Sequence, residues 1–216
     1  MSDTPTLVWG STRILFAMAT DQEYREELQK RIPPLIVGVG PVEAALGIGT
    51  ALAEMAVKPD LVVSLGSAGS ASLEQGNVYE ISSVSYRDMD ASPLGFEKGV
   101  TPFLNHPPKL PVEPMIDGVP KATLSTGGSV ISGTDYHAID ADMVDMESFA
   151  VVRACQSFGT GFCGLRGVSD GAEELRHYSD WADYLPQVDR TLATALDTLK
   201  TTLEKGFQPA PIRLPD

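Results

Sequence analysis

The stretch from Asp145 to Asp170 constrains the fold of this chain more than any other part of the sequence. It opens on two carboxylates, Asp145 and Glu147, and continues into a run whose apolar residues recur at helical spacing. Two glycines interrupt that run, and a short apolar segment at 162–168 predicts a buried strand that ends in Ser-Asp-Gly. In α/β sheets, ligands gather where strands end and helices begin. The pattern therefore allows Glu147, at a helix start, and Asp170, just past a strand end, to share one crevice.

Each of these acids also has a purely structural interpretation. Glu147 suits the first turn of a helix, where a carboxylate complements the positive end of the helix dipole. Asp170 could cap the next helix or form a turn with Gly171. Asp145 is interpreted as a structural acid at the helix start, without a chemical role. Spacing alone does not decide between structure and chemistry for Glu147 and Asp170.

Composition limits the classes of protein to which the chain can belong. Its 216 residues suffice for one domain over residues 1–216, with loose termini at 1–12 and 207–216. The formal net charge is −13 and no cluster of five or more Lys and Arg occurs, which argues against a nucleic-acid partner. The three histidines are scattered without metal-ligand spacing, so no metal site is expected.

Cysteine usage and hydropathy bear on location. Cys155 and Cys163 are too few for a disulfide framework and lack a C-x-x-C spacing, so they are expected to be buried reduced thiols. The first residues lack a basic region leading into an apolar one, and no apolar run reaches the ~18 residues of a membrane span. These features predict a cytoplasmic protein with no membrane partner.

The segment before the first helix contains a third acid of interest. Residues 13–19 predict a first buried strand, and Thr20 or Asp21 suits the cap of a helix that runs to about Arg31. Glu23 then falls in the first turn, where its structural role would be to complement the helix dipole.

The next segment alternates strands and glycine-rich turns. Residues 35–39 predict a strand, and G-V-G-P-V-E-A-A from Gly38 predicts a tight turn into a helix. This motif matches a dinucleotide-binding fingerprint only in part, because Glu43 stands where the third glycine is required. Residues 61–65 predict a central strand that opens into the small-residue loop 66–70, where the backbone can approach a ligand closely.

The motifs of the central stretch resemble those of a known family. V-D-M-E-S-F-A at 144–150 and G-L-R-G-V-S-D-G at 164–171 are similar to motifs of the nucleoside phosphorylase and hydrolase superfamily. Within it, the chain most resembles the 5'-methylthioadenosine/S-adenosylhomocysteine nucleosidases, whose G-x-A-G loop is similar to residues 66–69. The resemblance covers about residues 13–205. It implies an α/β fold, a three-layer α/β/α domain around a mixed, twisted central sheet.

The resemblance also implies an activity and its residues. The activity is hydrolysis of the N-glycosidic bond of 5'-methylthioadenosine and/or S-adenosylhomocysteine, with release of adenine and without a metal or organic cofactor. Asp170 would be the acid, Glu23 would activate water, and Arg166 would lie near that water; Asp21 competes with Glu23 if the first loop is shorter. Glu147 would hold the ribose 2'-hydroxyl and Met146 would pack on the ribose. The full implied substrate-binding set is Ser67, Ala68, Gly69, Val130, Ile131, Met146, Glu147 and Ser169.

Two alternatives to hydrolysis stay open on sequence grounds. Phosphorylases of the superfamily share the M-E and S-D motifs, but the arginine that related bacterial phosphorylases place before the glycine loop is Ser64 here. Arg25 and Arg87 could bind phosphate instead, since an arginine fork matches phosphate oxygens. A nucleoside-binding protein without catalysis would keep the pocket, but the acids at Glu23 and Asp170 argue against it.

The proline-rich segment 91–121 predicts a protein interface. Long irregular connections inside compact domains are usually functional or flexible. This one carries Phe96, Phe103 and Leu104, and exposed apolar loops commonly mark interfaces. A homodimer is therefore expected, with a nucleoside as the small-molecule partner. The resemblance implies that this segment reaches the active site of the neighbouring subunit.

Overall fold

The computed structural model describes residues 4–171 and 173–213. Strands alternate with helices along the described chain, as expected for an α/β protein. The strands are β1 (Leu7–Trp9), β2 (Thr12–Met18), β3 (Leu35–Ile36), β4 (Leu61–Gly69), β5 (Val78–Tyr86), β6 (Lys109–Pro111), β7 (Lys121–Thr126), β8 (Met143–Asp145) and β9 (Gly161–Asp170).

Five α-helices occur in the described residues, and two short 3₁₀ turns, Ser92–Leu94 and Gly133–Ala138, stand in the connections. The helices are α1 (Glu26–Gln29), α2 (Pro41–Glu54), α3 (Ser148–Phe158), α4 (Tyr178–Ala182) and α5 (Leu185–Glu204). None of these helices combines the length and the apolar character that crossing a bilayer requires.

The sheet consists of two parallel sets of strands that join at antiparallel contacts. β2, β4 and β9 are parallel neighbours, and β5, β7 and β8 form the second set. The sets meet where β4 pairs with β8 and where β5 pairs with β9. Strands β4, β8, β7, β5 and β9 therefore close a ring, and β1, β2, β3 and β6 extend the sheet outside it.

Helices cover both faces of this sheet. Ile48 and Leu52 of α2 and Val151 of α3 pack in one apolar cluster against one face. On the other face, Leu28 of α1 joins buried leucines of α5 that recur at the predicted helical spacing: Leu192, Leu196, Leu199 and Leu203. The arrangement confirms the predicted three-layer α/β/α architecture with a mixed sheet.

Among the described residues of the predicted loose termini, a strand and a backbone hydrogen bond contact the rest of the domain. Strand β1 pairs with β2, and the Trp9 ring lies 5.2 Å from Phe16. The tail at 207–213 has no regular secondary structure, yet Ile212 N–H donates to the Thr160 carbonyl at 3.2 Å. Apolar contact and this backbone hydrogen bond hold both ends against the domain. Residues 1–3 and 214–216 lie outside the described residues.

The helix predicted from Thr20 or Asp21 begins later, at Glu26. Two N–H groups of its first turn donate to the carboxylate of Asp189 of α5, from Glu27 N at 2.8 Å and from Leu28 N at 3.1 Å. A long-range partner thus fixes the helix start, which local sequence does not reveal. The residues around Glu23 form a turn instead of a helix.

Candidate active site

A cavity of about 620 Å³ lies where the strand ends of the ring meet. Its wall follows the ends of β2, β4, β8 and β9, with the loop after β7 and the segment 175–181 completing it. Most of the predicted site residues line this cavity together: Glu23, Ser67, Ala68, Gly69, Val130, Ile131, Met146, Glu147 and Asp170. Two others, Arg166 and Ser169, lie buried behind that wall.

A β-bulge aims Asp170 at the cavity. The β4–β9 register passes from Ala68 opposite Val168 to Gly69 opposite Asp170, so two residues of β9 face one of β4. Ser169, predicted to bind substrate, instead donates its hydroxyl to Asp170 Oδ1 at 2.6 Å. Burial raises the pKa of Asp170, and the Ser169 hydrogen bond opposes that shift. Ser169 therefore orients the acid from behind.

The absence of a side chain at Gly69 lets Asp170 approach strand β4. A Cβ atom at Gly69 would lie 2.9 Å from Asp170 Oδ2 and 3.2 Å from a Val144 methyl group. The Tyr136 hydroxyl occupies the same space. Only glycine fits this point without displacing the acid.

Glu147 stands at the junction of β8 and α3, as predicted. Its Oε1 accepts from Gly40 N at 2.8 Å, at the start of α2. Gly40 has a φ of 95°, a value that glycine adopts readily. Burial, with a smaller contribution from the charge of Asp145, raises the pKa of Glu147 to about 7. One carboxylate oxygen is thus fixed by backbone while the side chain lines the cavity.

Glu23 is buried at the same cavity, in the turn after β2. Its Oε1 accepts from the Ser67 N–H at 2.7 Å and from the Ser67 hydroxyl at 2.6 Å. Its Oε2 has no hydrogen-bond partner among residues 4–171 and 173–213. Burial raises the pKa of Glu23, and the two bonds from Ser67 oppose the rise.

A second, small cavity of about 10 Å³ lies beside Glu23. Arg166, Ser64, Gly66 and Glu147 also line it. This volume is about that of one water probe, and its walls carry several polar groups. It is therefore suited to a single water molecule held between Glu23 and Arg166.

Arg166 lies close to Glu23 but does not hydrogen-bond to it. Its guanidinium donates to Asp145 Oδ2 from Nε at 3.1 Å and from Nη2 at 3.0 Å. Nη2 also donates to the hydroxyls of Ser64 and Ser148. Arg166 thus lines the small cavity only, and Asp145 fixes its orientation.

Comparison with known proteins agrees with this geometry. The model of the Phosphorylase superfamily matches residues 24–201, which is most of the chain.

The chain belongs to the phosphorylase superfamily.

Proteins similar to this chain include nucleosidases. The 5'-methylthioadenosine/S-adenosylhomocysteine nucleosidase of Haemophilus influenzae strain 86-028NP is 33% identical over 175 residues, covering 73% of this chain and 75% of the relative. The corresponding nucleosidase of Neisseria meningitidis, solved with methylthio-immucillin-A, has a TM-score of 0.73 at 20% identity and covers 87% of this chain and 98% of its own. Futalosine hydrolase of Helicobacter pylori has a TM-score of 0.72 at 18% identity, covering 86% and 97%.

The structure also places the residues that the sequence left as alternatives: Asp21 as the base, and Arg25 and Arg87 as phosphate ligands. Asp21 is exposed and, like Arg25, lies along another cleft between α1 and α5. Arg87 does line the main cavity, but its guanidinium donates to the carbonyls of Ser125, Asp145 and Ser129. Glu23 rather than Asp21 therefore faces the site. The buried Nε of Arg87 has no hydrogen-bond partner among residues 4–171 and 173–213.

The sequence interpretation missed the aromatic wall formed by Tyr178 and Trp181. Their rings meet edge to face, 5.3 Å apart, and both line the cavity. The Trp181 indole N–H donates to Ser67 Oγ at 2.9 Å. Two aromatics three residues apart in an otherwise polar segment were the available signal, since that spacing places them on one helix face.

Proposed function

We propose that this protein is an enzyme that hydrolyses the N-glycosidic bond of 5'-methylthioadenosine and/or S-adenosylhomocysteine and releases adenine. One observation carries the proposal: three buried carboxyls with raised pKa, Glu23, Glu147 and Asp170, face one cavity. Perturbed carboxyls in a cleft are typical of acid–base catalysis. The nucleosidase relatives at about a third identity support the choice of substrate.

Asp170 is the acid in this proposal. Burial raises the pKa of Asp170 and favours its protonated form, which suits a proton donor. It donates that proton to N7 of adenine while the bond between C1' and N9 breaks and its electron pair leaves with the base. Ser169 keeps the carboxyl in place through Oδ1, which leaves Oδ2 for the substrate. General acid catalysis of this kind contributes about 10²–10⁴-fold in rate.

Glu23 is the base, and water is the nucleophile. As the water oxygen bonds to C1', the water proton passes to Oε2 of Glu23, the oxygen that no described group occupies. The small cavity lined by Glu23 and Arg166 supports this assignment, because its volume suits one water beside the Glu23 side chain. One water is consumed for each base released.

Glu147 stabilises the sugar. Its Oε1 is fixed by Gly40, and its charge in a site of low polarity favours the cation-like ribosyl group of the transition state. Glu147 also accepts a hydrogen bond from the ribose 2'-hydroxyl. Met146, in the cavity wall, packs on the ribose ring.

The charge of the site favours water over phosphate. The carboxyl groups of Glu23 and Glu147 line the main cavity without a cation bonded to either in the described part of the chain, so their ionised forms would repel a phosphate dianion. Two arginines also line the cavity. The terminal nitrogens of Arg87 donate to backbone carbonyls, and Arg176 pairs with Glu174 at 3.2 Å. Ser64, at the position where phosphorylases carry arginine, accepts from Arg166 instead.

The rival class is a nucleoside-binding protein without catalysis. The assay is release of free adenine from 5'-methylthioadenosine by the wild-type protein and by Glu23→Gln, which keeps the shape but cannot take a proton. We expect turnover in the wild type and a loss of about 10²–10⁴-fold in the variant. Binding of the nucleoside with no adenine release by the wild type would favour the rival.

We further propose that the enzyme acts as a homodimer in the cytoplasm. Phe103 is 95% exposed and Leu94 79%, and on the described surface both lie in the segment 91–121. Burial of these side chains against a second copy would remove the exposed apolar area. The two cysteines are unpaired and buried, which suits a reducing compartment.

A further inference from the structure

A chain of hydrogen bonds runs from the wall of the cavity to the proposed base. Trp181 Nε1–H, on α4, donates to Ser67 Oγ at 2.9 Å. The Ser67 hydroxyl donates to Glu23 Oε1 at 2.6 Å, and the Ser67 N–H reaches the same oxygen at 2.7 Å. The three residues come from separate parts of the chain, and none of these bonds is needed to form a helix or a strand.

The donor and acceptor inventory fixes the direction of each bond. An indole N–H is a donor only, so Ser67 Oγ must accept from Trp181. A serine hydroxyl has a single proton, and with Trp181 in place that proton points to Glu23 Oε1. Oε1 thus accepts from two donors, and a proton on Oε1 would be repelled by the hydrogen atoms of both. A proton taken up by Glu23 must therefore go to Oε2.

We propose that Trp181 is a positioning residue for the base: its indole N–H orients the Ser67 hydroxyl, which occupies Glu23 Oε1 and leaves Oε2 to accept the proton from water. This inference rests on the hydrolytic function proposed above. Helix α4 then does more than close the cavity. The Trp181 indole forms part of the cavity wall and also orients the Glu23 carboxylate through Ser67. Without the indole donor, the Ser67 hydroxyl can rotate away from Glu23.

The inference makes a specific statement about pH. The bonds from Ser67 lower the pKa of Glu23 against the effect of burial. If the Ser67 donor is lost, less of Glu23 is ionised at a given pH. The acid limb of the kcat profile, which reports the ionised base, then moves to higher pH. A side chain that serves only as a wall would change KM and leave that limb in place.

The decisive variant is Trp181→Phe, which keeps an aromatic ring against Tyr178 and removes the N–H donor together with part of the indole. We expect kcat to fall about fivefold near neutral pH, the size of one hydrogen bond, with KM within about twofold of the wild type. The acid limb should move to higher pH. Trp9→Phe is the matched control: it makes the same substitution at a buried ring packed on Phe16, and it should leave activity unchanged.

A double-mutant cycle tests whether Trp181 acts through Ser67. Ser67→Ala should lower kcat by more than Trp181→Phe does, and the double variant should match Ser67→Ala alone. A kcat loss in the double variant equal to the product of the two single losses would overturn the inference. A Trp181→Phe enzyme with the wild-type pH profile would also overturn it. A wild-type protein that releases no adenine would overturn the proposed function as well, so the two failures can be told apart.

A second measurement needs no substitution of Trp181. In the Trp9→Phe protein only one indole N–H signal remains in a ¹⁵N spectrum. We expect that signal to titrate with the pKa of the acid limb, and to be independent of pH when Glu23→Gln is added. An indole signal that does not respond to pH in the Trp9→Phe protein would contradict the inference.

Discussion

Arg166 Nη2 lies 3.0 Å from Asp145 Oδ2, and both side chains are almost completely buried, at 3% and 1% exposure. The Arg166 Nε–H reaches the same oxygen, and Asp145 Oδ1 accepts from the Thr126 hydroxyl at 2.6 Å. The pair links β8 to β9 directly behind Glu147 and beside the small cavity. The acid without an assigned chemical role thus orients the arginine that the sequence interpretation placed near the water.

We expect Asp145→Asn to destabilise the fold strongly, because it leaves the Arg166 guanidinium buried without its counter-charge. The loss in free energy of unfolding should be about 3–5 kcal/mol. Chemical denaturation measures it. The control is Asp140→Asn, which breaks the exposed ion pair with Lys109, where Asp140 is 93% exposed, and should cost less than about 1 kcal/mol. Equal losses in free energy of unfolding for the two variants would contradict the expectation that the buried ion pair matters more than the exposed one.

Asp170→Asn should fold and bind nucleoside but lose most turnover. Asparagine keeps the shape of the carboxyl and can hydrogen-bond to the base, but its amide cannot transfer a proton to it. The expected fall in kcat is about 10²–10⁴-fold, with the Kd from calorimetry changed little. Asp117→Asn, at an exposed acid outside the cavity, is the control. A variant that retains more than a tenth of wild-type kcat would remove Asp170 from the acid role.

The raised pKa of Glu147 predicts how stability depends on pH. The ordinary value is 4.5 and the folded value is about 7, so between these values the folded state holds a proton that the unfolded state has lost. Stability from this group is then fully present below pH 4.5 and is lost as pH rises through 7. We expect the free energy of unfolding of the wild type, relative to Glu147→Gln, to fall from pH 4.5 to 7. A difference that is flat or rises over this range would contradict the assignment.

The sequence predicted the elements with strong local patterns and missed those fixed by distant partners. Helices α2 and α5 and the strands β4 and β9 follow from periodicity and apolar runs. The late start of α1 depends on Asp189, which lies more than 150 residues away in sequence. Strand β1 depends on pairing with β2 rather than on its own composition.

The same distinction applies to the site. Glu23, Glu147 and Asp170 could be named because their motifs resemble a family. The bulge that turns Ser169 behind Asp170 and the bond from Trp181 to Ser67 involve register and side-chain direction, which one sequence does not contain. The placement of Arg166 against Asp145 likewise required two strands to be brought together.

The homodimer proposal predicts the effect of a charge at Phe103. Its ring is exposed and meets the Phe96 ring edge to face, with centroids 5.6 Å apart. We expect a dimer for the wild type and a monomer for Phe103→Asp, measured by light scattering at micromolar concentration. The control, Phe207→Asp, changes a ring of the carboxyl-terminal tail and should remain dimeric. A wild-type monomer would contradict the proposal.

The phosphate dependence of adenine release from 5'-methylthioadenosine tests the central claim most directly. The acids that line the cavity, and the backbone carbonyls that take the terminal nitrogens of Arg87, predict the same initial rate with and without phosphate. The predicted sugar product in both conditions is the free 5-methylthioribose. A rate that requires phosphate, with a ribose 1-phosphate as the product, would contradict hydrolysis by water activated at Glu23.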